Sequence, residues 1–238
     1  VAGTGKAGIL AVDIGGTGLK CAVIDDEGGM LSERARVETP HPCPPQVLLD
    51  AFAGMVKPFP AFDRIAIGFP GVVRDGKVLT APNLGTPDWA GFALADEMSK
   101  RLGGHPARLI NDAEMQGLAV VSGKGLELVV TLGTGVGTAL FRNGALMPHM
   151  ELAHHPIHDD KTYDEYLGNA ALEEKGKKHW NERLEKVIGV LYTLLHYDRL
   201  YFGGGNAKKV TLKLPENVTI ASNDAGLKGG AELWRARG

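Results

Sequence analysis

Two aspartates in this chain stand where a carboxylate could do chemistry. Asp13 ends the run ILAVD and is followed by IGGT, and Asp112 follows ARLIN and opens DAEMQG. A carboxylate beside glycines that can turn successive backbone N–H groups toward one point suits a polyanion and the magnesium ion it carries. The glycine-threonine pattern recurs as LGTGVGT from Leu132 to Thr138, between the apolar runs LELVVTL and ALF. Gly15, Gly16 and Thr17 in the first copy, and Gly133, Thr134 and Gly135 in the second, offer amide donors and a hydroxyl to phosphate. A tight hairpin turn has the same composition, but matching copies in the two halves of the chain favour phosphate. Neither copy is a Walker loop or a dinucleotide fingerprint, because those join a strand to a helix. Gly3-Thr4-Gly5-Lys6 lacks both the preceding strand and the Walker spacing.

Asn111-Asp112 closes an apolar run and opens a helical pattern, where unpaired helix N–H groups favour an ionised carboxyl. An anion held there can accept a hydroxyl proton; an ordinary helix N-cap reads the same way. Glu151 and His154, at i and i+3, provide an acceptor and a donor/acceptor that together can grip vicinal hydroxyls of a sugar. The histidines His149, His154, His155 and His158 raise a metal reading, but no HExxH or regular zinc spacing accompanies them.

The elements that must position these residues follow from apolar period and turn signals. Strands are expected at 9–13 and 19–24, joined by the first loop as a hairpin, and then at 64–69 and 107–110. Helices are expected at 45–56, at 92–102 and from Asp112 through DAEMQGLAVV. After a break at Ser122–Gly125 the opening pattern restarts, with a strand at 126–132, the second loop, and a strand at 139–141. The polar stretch 151–170 shows no element. A helical region around KGKKHW, a second helix at 182–195 and a strand at 199–202 follow, the strand meeting Gly203-Gly204-Gly205-Asn206. The segment ENVTIASNDAGLKGGAELW then reads as strand, loop and small-residue helix. A duplicated strand, phosphate loop, strand unit predicts an α/β protein of the actin-like ATPase (ribonuclease H-like) fold. Its duplicated halves, 1–112 and 113–238, would flank a cleft.

Bulk properties narrow the partners. A net charge of −2 over 238 residues gives no surface built for nucleic acid or anionic lipid, so small-molecule chemistry is the expectation. No apolar run approaches the roughly 20 residues of a membrane span, and VAGTGKAGILAVD does not read as a signal peptide, so the expected location is cytoplasmic. Cys21 and Cys43, without CxxC spacing, read as free thiols.

Taken in order, DIGGTGLK, LINDAE, TLGTGVGTALF, ELAH and GGGN resemble the motifs of the ROK family of sugar kinases, and YDEYLGNAALEEKGKKHW resembles its polyphosphate glucokinase branch. The resemblance implies transfer of a phosphoryl group from polyphosphate or ATP to the 6-hydroxyl of a hexose, with glucose foremost. Asp112 would be the general base, Asn111, Glu151 and His154 would bind the hexose, and Glu165 would add a contact. Asp13 would serve Mg²⁺ through water. Gly15, Gly16, Thr17, Lys20, Gly133, Thr134 and Gly135 would bind the donor phosphates, and Gly203, Gly204 and Gly205 the adenosine side. A homodimer is also implied.

Two departures from the family pattern stand out. Ala153 replaces the glycine of Glu-x-Gly-His, which bears on the preferred hexose. The family's cysteine-rich zinc motif is missing, so no zinc is expected and His154 is left to face sugar. ROK-like repressors carry a helix-turn-helix ahead of the sugar domain, and with the first strand expected at Ile9 the repressor reading is not the expectation. A non-catalytic sugar sensor, or a kinase for mannose, fructose or an N-acetyl amino sugar, is the alternative. Lys161, Lys175, Lys177, Lys178, Lys208 and Lys209 could form a basic track for polyphosphate, or simply a solvated face.

Overall fold

The computed structural model describes residues 8–222 and 225–235. The chain divides into two compact units: residues up to Ala119 together with those from Gly226 onward, and Val120–Ala225.

The first unit opens with β1 (Gly8–Ile14), β2 (Gly18–Ile24), β3 (Ala35–Glu38), α1 (Pro45–Met55) and β4 (Phe62–Phe69). A small hairpin of β5 (Val73–Arg74) and β6 (Lys77–Val78) leads to α2 (Leu94–Arg101), β7 (Ala107–Asn111) and α3 (Asp112–Leu118). The sheet order is β3-β2-β1-β4-β7, with β1, β4 and β7 parallel and the first three strands an antiparallel meander. Strand alternation sorts the core. Leu10, Val12 and Ile14 gather on one face with Leu48, Phe52, Leu94 and Met98. Ile9 and Ala11 point to the other face, with Ala22, Ala66 and Met115.

The second unit repeats this plan. It contains β8 (Leu126–Leu132), β9 (Val136–Arg142), β10 (Ala145–Leu146), the hairpin of β11 (Pro156–His158) and β12 (Lys161–Thr162), α4 (Tyr163–Leu167), α5 (Asn169–Leu195), β13 (Arg199–Gly203) and β14 (Val218–Ile220). Its order, β10-β9-β8-β13-β14, is again a meander continued by parallel strands. Leu128, Val130 and Leu132 pack with Trp180, Leu184, Val187 and Leu191 of α5. The duplicated mixed α/β architecture is the actin-like ATPase fold expected from the sequence.

Several boundaries differ from the sequence expectation. β9 starts at Val136 rather than Ala139, because its antiparallel register with β8 runs to the pair Leu132↔Val136. α3 stops at Leu118, with Ala119 as its C-cap. α5 breaks at Gly176 (φ 73°, ψ 162°), inside KGKKHW, so the helix beyond it starts earlier than 182. The stretch 151–170 is ordered as a hairpin and a short helix.

The last element, α6 (Ala225–Arg235), returns to the first sheet. Leu227, Ala231 and Leu233 close the face carrying Ile9, Ala11, Ala22 and Ala66. The Arg108 guanidinium lies 4.5 Å from the Trp234 ring and donates to the Leu233 carbonyl at 2.7 Å, fastening the end of the helix. No described helix is long and apolar enough to cross a membrane.

Candidate active site

In the first unit, the candidate residues Asp13 and Asp112 lie at the carboxyl ends of parallel strands. Asp13, near the end of β1, is in register with Gly68 of β4, and Gly68 with Ile110 of β7. Asp112 follows β7 directly, so the two aspartates stand two strands apart at one edge of the sheet, the edge where open α/β sheets bind ligands. The chain passes from β1 to β2 through residues 15–17, Gly15 N–H closing the turn on the Gly18 carbonyl at 3.0 Å. Lys20, opposite Asp13 in the hairpin, pairs with its carboxylate at 2.9 Å.

Asp112 is the first residue of α3 and is half-buried; its Oδ1 accepts from Ala113 N–H at 2.8 Å. Asn111 is buried and caps the helix. Its Oδ1 accepts from the N–H groups of Ala113 and Glu114, and Glu114 Oε2 accepts in return from Asn111 N–H at 3.0 Å. The Asn111 amide donates to the carbonyls of Phe69 and Gly71, at 3.3 and 3.1 Å. Both polar atoms of Asn111 are thus engaged in locking the β4 exit to the start of α3, which fixes the backbone of Asp112. A hexose contact by Asn111 would exchange one of these bonds.

In the second unit, the second glycine loop is confined to residues 133–135, and β8 and β13 end side by side. Residues 203–206 therefore lie against it: Asn206 N–H donates to Leu132 O at 2.9 Å and Asn206 Nδ2 to Gly133 O at 3.2 Å. Glu151 Oε1 accepts from Ala153 N–H at 3.3 Å, and Oε2 meets His149 Nε2 at 3.4 Å. Burial raises the Glu151 carboxyl, but the His149 hydrogen bond, the charges of His149 and His154 and the Ala153 N–H outweigh it and hold the group below its ordinary value. Glu151 is thereby kept an ionised acceptor. His154 is exposed in the same loop.

Glu165 is committed locally. With Thr162 it forms a capping box at the start of α4, its Oε2 accepting from Thr162 N–H at 2.8 Å. That leaves Oε1 for a further contact.

The sequence reading passed over Asp164. Its Oδ1 accepts from Val136 N–H at 2.6 Å, its backbone N–H donates to Ala153 O at 3.0 Å, and it feels the charges of His154 and Glu151. It ties the second glycine loop to the loop carrying Glu151 and His154. A Cβ on Gly135 would lie 2.7 Å from both Asp164 carboxylate oxygens, so glycine is what lets them meet. The only local signal was the T-x-x-E cap around Asp164. Burial pushes the Asp164 carboxyl up, against the Val136 hydrogen bond and the His154 charge. An acid raised in this way costs stability when ionised. Asp164→Asn keeps an acceptor for Val136, so the variant is expected to be more stable than the parent at neutral pH. The gain should shrink as pH falls through the raised pKa and vanish below the unfolded value of about 3.8, a trend read from urea midpoints across pH.

The chain is similar to known proteins along most of its length. The ROK family model matches residues 9–162. A polyphosphate glucokinase of Mycobacterium tuberculosis (strain CDC 1551 / Oshkosh) is 30% identical, the alignment covering 93% of this chain and 89% of that protein. One from Mycobacterium leprae (strain TN) is 30% identical over 93% of this chain and 73% of its own length. The crystal structure of an inorganic polyphosphate/ATP-glucomannokinase from Arthrobacter sp. strain KM superposes with a TM-score of 0.85 at 31% identity, covering 95% of this chain and 97% of that one. With two glycine loops, the Asn-Asp motif and the Glu-x-x-His motif all seated on this duplicated fold, the chain belongs to the ROK family.

Proposed function

We propose that this chain transfers the terminal phosphoryl group of polyphosphate or ATP to the 6-hydroxyl of a hexose, glucose foremost, with Asp112 as general base. That it is a sugar kinase follows from its family and from relatives matched along nearly its whole length. The observation that carries the finer reading is the place of Asp112, a half-buried carboxylate on the first residue of α3 at the carboxyl end of a parallel strand. A hexose hydroxyl delivered there passes its proton to Asp112 as its oxygen bonds to the terminal phosphorus, and the bond from that phosphorus to the donor's bridging oxygen breaks, releasing ADP or a polyphosphate one unit shorter. Phosphoryl transfer is loose, so alignment and charge stabilisation supply most of the rate.

Gly15, Gly16, Thr17, Gly133, Thr134 and Gly135 serve the donor phosphates, and Gly203, Gly204 and Gly205 the adenosine of ATP. Glu151 and His154 hold the hexose, with Asn111 and Glu165 as further contacts. Magnesium suits this donor set. Asp13 is one partly buried carboxylate beside the first glycine loop. A single carboxylate suits an ion held mainly by phosphate oxygens and water. When bound, the ion spreads the charge of the transferring group; Asp13 would hold its water shell, and Lys20 would exchange Asp13 for phosphate. Family likeness supports a cytoplasmic homodimer.

For the donor, Lys177 and Lys178 line an open cavity of about 450 Å³, but Glu182 and Glu185 share that lining, and Lys175 is paired with Glu174. A polyphosphate chain on such lysines would be held by screened, long-range attraction. Raising salt from about 0.05 to 0.5 M is therefore expected to raise the KM for polyphosphate several-fold more than that for ATP, in a coupled assay over a hexose panel. Equal salt sensitivity would remove the lysines from the donor path. Hexose binding by calorimetry without phosphorylation by either donor would replace the kinase reading with a sugar sensor.

A further inference from the structure

Both glycine loops are gripped by their carbonyls. In the first unit, Thr39 Oγ1 donates to Gly15 O at 2.6 Å, His41 Nε2 bonds Gly16 O at 2.8 Å, and Thr39 N–H reaches Thr17 O at 3.5 Å. A carbonyl only accepts, so the His41 Nε2 in this contact carries its proton. Thr39 is buried, and the short segment 39–41 runs alongside the loop as a strap. In the second unit, Asn206 Nδ2 donates to Gly133 O at 3.2 Å and Asn169 N–H to Thr134 O at 3.1 Å.

A trans peptide points its C=O and the following N–H in opposite directions. Holding Gly15 O and Gly16 O against the strap therefore aims the N–H groups of Gly16 and Thr17 away from it. Holding Gly133 O and Thr134 O does the same for the N–H groups of Thr134 and Gly135. Three neighbouring N–H groups are used within their own units: Gly15 N–H on Gly18 O, Gly133 N–H on Gly135 O at 2.9 Å, and Val136 N–H on Asp164. The N–H groups of Gly16 and Thr17 in the first loop, and of Thr134 and Gly135 in the second, are thus presented without a protein acceptor among the described residues. Glycine peptides left unpinned turn over readily, and a flipped peptide would offer phosphate a carbonyl oxygen.

We propose that Thr39, His41 and Asn206 are positioning residues for the phosphoryl donor: they hold the loop carbonyls back so that two N–H pairs face the phosphates. None of them needs to touch the donor. The inference rests on the reading of both loops as donor sites and deepens it.

The test uses the full ¹⁵N-labelled chain titrated with magnesium tripolyphosphate. In the parent, the amide resonances of Gly16, Thr17, Thr134 and Gly135 are expected to shift on binding. Thr39→Val, which keeps the shape and removes the donor, should weaken tripolyphosphate binding and raise the donor KM about tenfold, leaving the hexose Kd unchanged. Asn206→Ala and His41→Leu should act in the same direction, and Thr39→Ser, which keeps the hydroxyl, should restore parental values. If the parent's loop amides do not respond to tripolyphosphate, the donor-site reading fails and this inference with it. If they respond but Thr39→Val and Asn206→Ala bind tripolyphosphate as tightly as the parent, the donor site stands and the positioning role is overturned. A parallel loss of hexose and donor affinity, unrelieved by Thr39→Ser, would also overturn it.

Discussion

Asp112→Asn is expected to lower kcat by about 10²–10⁴-fold while leaving the hexose Kd within a few-fold of the parent, the range that removal of a general base produces. The substitution is close to isosteric. Asn keeps an oxygen for Ala113 N–H, and the cap made by Asn111 and Glu114 does not depend on the Asp112 side chain. What is lost is the capacity to take a proton from the attacking hydroxyl. Calorimetry for hexose binding and a coupled assay for turnover separate the two quantities. A near-parental kcat would remove Asp112 from the base role, whereas loss of hexose binding together with turnover would make it a binding residue instead.

Gly229→Ala is expected to destabilise the first unit by about 3 kcal/mol, at the upper end of what overpacking costs. α6 crosses α3 so closely at this position that a Cβ on Gly229 would overlap the Met115 carbonyl oxygen and lie 2.7 Å from its carbon. Backbone cannot rotate out of the way as a side chain can. The helices must separate, and Leu227, Ala231 and Leu233 would lose their seat over Ile9, Ala11 and Ala66. Gly189→Ala is the control: Gly189 is inside α5 with nothing within 4 Å of the added methyl, so helix propensity should leave that variant unchanged or more stable by up to about 1 kcal/mol. Urea midpoints for both variants test the contrast. Equal midpoints would show that α6 and α3 can separate at little cost.

Much of this was legible before any tertiary structure. The apolar, β-compatible run at 9–13 already marks a strand, and Asn111-Asp112 after an apolar run already marks a helix start. Where the reading slipped, a local preference was overridden or split. The valine and threonine in GTGVGT were read as loop, yet cross-strand pairing with β8 drew them into β9. The sequence places a second helix at 182–195 after a helical region around KGKKHW, yet the break falls earlier, at Gly176, which takes a positive φ. The polar stretch after Glu151 showed no period long enough to reveal two three-to-two-residue strands and one short helix.

The sequence by itself determined the features that arise between near neighbours: most strands and helices, the helix start at Asn111-Asp112, and two glycine turns between paired strands. Periodicity and capping are short-range, so they survive in a one-dimensional reading. The tertiary structure alone decided that Asp164 grips Val136, that Thr39 and His41 strap the first loop and Asn206 the second, and that α6 lies on the first sheet. Those partners are far apart along the chain, and a hydrogen bond to a backbone carbonyl demands no particular residue type from the segment that accepts it. Only the folded geometry determines which donor arrives.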